Sequence, residues 1–359
     1  MTKKTRTFVL AAAAVLFVGL AGGLVAYLAY TRVAGLAAGL PAELRYVPAD
    51  AEVVAFANVR AVMDSELRRA LVPSIDPESR KGKQMMNDFA GVDLEKQVDH
   101  VVMYVEPFIR QSQDVERGGI PRASLLVNAS FDQARIEQFV RERGGSVEEH
   151  NGRKLFTHKD GPEQIAVGFV ASNVIAIGQV DLVRRAIDIS SGSAKEFHNI
   201  TTNREMMTLI RDNSGSTAWV AGQFEEISRR MKLPSALAGQ VPPVRLVSVK
   251  ADINGGAKVA IRAEAGDKAA ADQLRDVVRA FISLARLQAG SKPEFEGILK
   301  SIELSGTDAT VRLSFAVSPE TLRVIAPRRG SRGGGRGRDP ENLPTNPTIP
   351  TPPTTPSPK

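Results

Sequence analysis

Cysteine is absent from the 359 residues, which excludes disulfides, thiolate nucleophiles and cysteine metal sites; a folded body must therefore stand on its apolar core. Aromatic side chains make up only 5% of the chain and Trp219 is its one tryptophan, a thin provision for stacking sugars or bases. The four histidines, His100, His150, His158 and His198, stand apart, and no two have the i, i+4 spacing of a helical zinc site. His150 and His158 flank Asn151-Gly152 beside Glu148 and Glu149, the nearest approach to a metal set, but a polar hairpin end accounts for the same residues. A Gly-x-Ser-x-Gly turn, a Walker loop and a dinucleotide fingerprint are all missing, so neither a cofactor nor a catalytic set is expected. Asp252-Ile-Asn254-Gly255 starts like a calcium loop, yet Arg262 and Ala263 stand where the later liganding acid belongs. The acids of Glu148-Glu149 and Glu225-Glu226 are adjacent rather than convergent, the usual pattern of a solvated face.

Basic charge is also missing from the body. The net charge of +7 resides in the ends, with Lys3, Lys4 and Arg6 at the start and a net +4 beyond Pro327, which leaves residues 7–326 neutral. Such a body lacks the footprint of a phosphate-binding domain, and no nucleic-acid partner is expected.

Residues 7–30 carry no charge and consist mostly of Ala, Leu, Val, Gly and Phe. As a helix they would reach about 36 Å, enough to cross a hydrocarbon core of about 30 Å. The run is longer than a signal-peptide core of about 7 to 15 residues, so an uncleaved anchor is expected. Lys3, Lys4 and Arg6 before it predict a cytoplasmic N-terminus and an exported body, in a single-pass protein of a bacterial cytoplasmic membrane. Residues 31–43 read as a stalk. Residues 327–359, rich in Arg and Gly and then in Pro and Thr, read as a disordered spacer. Its Arg328, Arg329, Arg332, Arg336 and Arg338 are candidates for contact with anionic lipid or wall polymer.

Between the ends, strand and helix signals run twice in one order. Residues 52–59 and 217–224 each open a run as a strand, followed by helices at 61–71 and 225–231. Strands at 98–106 and 123–129 are matched by strands at 244–252 and 258–264. Helices follow at 131–143, with a capping box from Ser130 to Gln133, and at 267–287, capped by Asp267. Each run closes with a hairpin and a helix: 164–170, 174–178 and 180–189 in the first, then 298–305, 310–317 and a short helix capped by Ser318 with Pro319 at its first position. The pattern predicts an α+β body of two similar lobes, 44–190 and 215–326, each an antiparallel sheet with helices packed on one face. A connector at 191–214 holds a helix near 202–212. The methionine pairs Met85-Met86 and Met206-Met207 read as core packing on helices.

At Leu44-Arg-Tyr-Val-Pro-Ala-Asp-Ala51 the chain resembles a loose group of bacterial membrane-anchored envelope proteins with a repeated α+β extracytoplasmic domain. That group has no agreed activity, and the resemblance implies no site residue. The sequence thus reads as a non-enzymatic, membrane-anchored extracytoplasmic binding or scaffold protein of the bacterial envelope, its partner an envelope protein, a lipid or a wall polymer. The alternative is an extracytoplasmic hydrolase whose active site is assembled from dispersed acids.

Overall fold

Val53-Val-Ala-Phe-Ala57 is apolar at every position, and a run so short and so uniform suits a strand covered on both faces. It is strand β1 of a computed structural model that describes residues 39–65, 97–107, 122–142, 145–160, 163–193, 198–225, 242–289 and 295–325. The remaining elements are α1 (Val59–Met63), β2 (Val98–Val105), β3 (Ala123–Ala129), α2 (Gln133–Glu142), β4 (Ser146–His150), β5 (Arg153–Asp160), β6 (Glu163–Ala171), β7 (Val174–Gln179) and α3 (Val180–Ser191). They continue with α4 (Arg204–Asp212), β8 (Ala218–Gln223), β9 (Val244–Asn254), β10 (Gly256–Ala265), α5 (Lys268–Ala289), α6 (Glu296–Lys300), β11 (Glu303–Ser305), β12 (Thr310–Val317) and α7 (Pro319–Ile325). A 3₁₀ turn at Ala42–Tyr46 precedes β1, and a second at Ile200–Thr202 precedes α4.

Where two separate sheets are predicted, the twelve strands form one, in the order β11-β12-β10-β9-β8-β1-β2-β3-β7-β6-β5-β4, and the pairs are antiparallel. The seam is the β1–β8 pair, with Val53 opposite Gly222, Ala55 opposite Val220 and Ala57 opposite Ala218. Moving outward from it, one half runs β1-β2-β3-β7-β6 and the other β8-β9-β10-β12-β11, the same order of strand roles. The ladders agree residue by residue. Met103 faces Ala55 and Leu125 on one side as Val249 faces Val220 and Ile261 on the other, and Ile177 faces Leu125 as Leu313 faces Ile261. Ala55 and Val220 therefore hold equivalent places and pair with each other, which puts a local two-fold at that pair. Among the described residues, the β4–β5 hairpin belongs to the first half alone.

In the first half helices cover both faces where one is predicted, while in the second half α5, α6 and α7 share a face as predicted. Phe56 and Trp219 lie in a core with Val183, Ala186 and Ile187 of α3 and Met206, Met207, Leu209 and Ile210 of α4. Their strand neighbours Ala57 and Ala218 point the other way, into a core with Ile136 and Val140 of α2. On that second face Leu274 of α5 packs with Val311 and Ala265, and Ile298 and Leu322 of α6 and α7 pack with Val259 and Phe315.

Local signals behave unevenly. Asp267 Oδ1 accepts from the Ala270 amide at 2.7 Å, and Ser318 Oγ from the Thr321 amide at 3.2 Å, as their cap positions predict. At α2 the cap is Asp132, whose Oδ1 accepts from the Arg135 amide at 3.1 Å, in place of the Ser130 box. Residues 298–305, predicted as one strand, divide into the end of α6 and the three-residue β11. Among the described residues no helix is long and apolar enough to cross a membrane, and the predicted span at residues 7–30 lies outside them. Met85-Met86, predicted on a helix, and the tail from Pro327 also lie outside.

Candidate functional site

Polar groups gather in three places, each built by strands from distant parts of the sequence. The first lies where the 3₁₀ turn before β1 dips onto the sheet. Glu43, only 2% exposed, meets His100 Nε2 of β2 at 2.6 Å and accepts from Asn128 Nδ2 of β3 at 2.6 Å. Burial pushes its carboxyl up, but the His100 and Asn128 hydrogen bonds outweigh that and hold it below the ordinary range. The Phe56 ring lies 5.8 Å from His100 and is stacked at 5.7 Å on Trp219, so the group closes one end of the core rather than lining an opening.

The second place is the far end of β2. Glu106, 6% exposed, lies 2.9 Å from Arg185 Nη1 of α3 and 3.5 Å from Arg122 Nη2, which itself donates to Asp181 at 2.5 Å. Arg185 also donates to Asp50 at 2.8 Å. Burial raises the Glu106 carboxyl, the Arg185 charge opposes this, and the Asp50 charge adds to it, with the net shift upward. Nearby, the Tyr104 hydroxyl donates to the Leu182 carbonyl at 3.3 Å, and burial drives its pKa upward. These contacts tie β2, β3 and α3 together.

The third place lies at the end of α4. In the first half the face under α3 is apolar, carried by Tyr104, Leu126, Val174, Ala176, Ala166 and Gly168. The ladder positions equivalent to these in the second half hold Lys250, Arg262, Thr310, Arg312, Glu303 and Ser305. On the α2 face both halves stay apolar, with Leu125, Val127 and Ile175 answered by Ile261, Ala263 and Val311. A helix with an apolar stripe can follow β7 onto the first half's α3 face. After β12 the same face offers charges, and α7 instead packs its Leu322 on the opposite side. Asp212, at the end of α4, receives Arg262 Nη1 at 3.0 Å and Arg312 Nη1 at 3.1 Å, while its carbonyl accepts from Lys250 Nζ at 2.8 Å. Burial raises the Asp212 carboxyl, and Arg262, Arg312 and Lys250 more than offset this, holding it below the usual carboxylate range. Arg262 also reaches Glu264 at 2.5 Å. The surface is a mixed-charge, hydrogen-bonding face.

The residues singled out from sequence are dispersed. His150 binds Asp188 of α3 at 2.6 Å, an anchor for the β4–β5 turn, and the Asn151 amide donates to the same oxygen. The side chain of His158 lies outside the described set, as do Glu226 and Arg328, Arg329, Arg332, Arg336 and Arg338. Glu148 pairs with Arg184 at 2.8 Å. Asp252 accepts from the Thr217 amide at 3.2 Å and serves the turn into β10, where Gly255 has φ of 46°. Met206 and Met207 are each 3% exposed, in the core. Among the described residues no three His, Asp or Glu side chains converge as a metal site. Among the described residues are two half-open grooves. One, of about 510 Å³, lies between Gly256, Ile298 and Pro319; the other, of about 470 Å³, lies between Phe131, Phe169, Glu149 and Lys154.

No family model matches the chain, and no curated protein matches its sequence. Two solved structures, crystal forms I and IV of TP0453, are similar to it at TM-scores of 0.44 and 0.41 and identities of 10% and 9%. Each match covers 79% of this chain and 96% of the other, and neither carries a site across.

Proposed function

We propose that the chain is a non-enzymatic binding or scaffold protein of the bacterial envelope, anchored by residues 7–30, whose exported body meets its partner on the charged face of β10 and β12. The observation that carries this reading is the exchange between halves. Equivalent ladder positions hold apolar residues under α3 on one side and Lys250, Arg262 and Arg312 on the other, where the end of α4 meets them through Asp212. A repeated fold that places charges where its other half has core residues has given up apolar burial there, which a binding role would explain. The uncharged span and the cations before it support the anchor and its orientation. In the same reading Arg328, Arg329, Arg332, Arg336 and Arg338 contact anionic lipid or wall polymer, each contributing about 1 kcal/mol near a charged surface.

The test places a photoreactive residue at Ala260 or Ser314 of the full chain in cells. A discrete adduct to one identifiable molecule, lost when Arg312→Glu reverses the charge, is expected. Adducts only within the chain, or none, would overturn the binding face. Protease added to intact spheroplasts should digest the body, and protection of the body would overturn the orientation.

A further inference from the structure

We draw no further inference here: the strongest candidate, the groove beside the β4–β5 turn lined by Phe131, Phe169, Glu149 and Lys154, has its lysine already paired with Glu137 of α2, and nothing in the structure shows what would occupy it.

Discussion

A carboxylate removed from water must be met by donors or keep its proton, and the two buried glutamates resolve this in opposite directions. Glu43 has a lowered pKa in the fold, so its contribution is present above its ordinary value of 4.5 and is lost as pH falls below it. Glu43→Gln should cost about 1.5–3 kcal/mol at neutral pH, the range for a hydrogen bond to a charged group. Urea unfolding repeated at lower pH should show that difference shrinking; a difference independent of pH would contradict the account. Glu106 has a raised pKa, so the folded state holds its proton longer than the unfolded chain. Its contribution is most favourable at acid pH and declines as pH rises from about 4.5 through the folded value. Wild type should therefore gain on Glu106→Gln as pH falls, the reverse of the Glu43 trend. Neither site was legible in the sequence. Glu43 lies 57 residues from His100 and 85 from Asn128, and only the pairing of β2 with β3 brings the three together.

The exposed flank of β12 shows how an element is closed without a full neighbour. β11 pairs with only Arg312, Leu313 and Ser314, and beyond it the Ser301 hydroxyl accepts from the Ala316 amide at 2.9 Å and donates to the Ile298 carbonyl at 2.8 Å, with the Ala316 carbonyl at 3.2 Å. At the other end Arg275 Nη2 donates to the Thr310 carbonyl at 2.8 Å. Ser301→Ala should lower stability by about 1–3 kcal/mol and promote concentration-dependent association, read by urea unfolding and light scattering. Unchanged stability and scattering would show that the edge needs no cap. A second contrast tests the ladder equivalence of Gly168 and Ser305. A Cβ on Gly168 would come within 2.7 Å of Val183 and 2.9 Å of Ile187, so Gly168→Ala should cost about 1–3 kcal/mol by pushing on α3. Ser305→Ala, at an exposed place, should stay within about 0.5 kcal/mol. Most strands could be read from alternation and turn residues. β4 could not, because Ser146-Val-Glu-Glu-His150 holds one apolar residue, Val147, which packs at the rim of the α2-side core. Nor could helix placement, since the apolar stripes of α3 and α7 look alike and the choice of face is made by residues on other strands, such as Leu126 against Arg262.

At the scale of the whole molecule, the two halves share a seam and a core, with Phe56 opposite Trp219 across β1 and β8. Heat or denaturant should therefore unfold them together, with Trp219 fluorescence and far-ultraviolet circular dichroism following one transition. Two separated transitions would mean that the seam couples the halves less than its burial implies. The repeat of element order was legible because hairpins and helices recur in series. The fusion into one sheet was not, because Val53–Ala57 and Ala218–Gln223 carry no mark of pairing with each other rather than with an edge. The continuity of the twelve strands bears on what the body can touch. Neighbouring strands in a sheet rotate by about 20 to 25° on average, so β3 and β10, five places apart, differ in direction by on the order of 100°. A sheet with that twist is a ribbon, and a ribbon meets a plane along a strip only a few strands wide. If the proposed partner is a flat layer, one half of the sheet would meet it at a time, which leaves the other half's charged or helix-covered side turned toward whatever stands beyond.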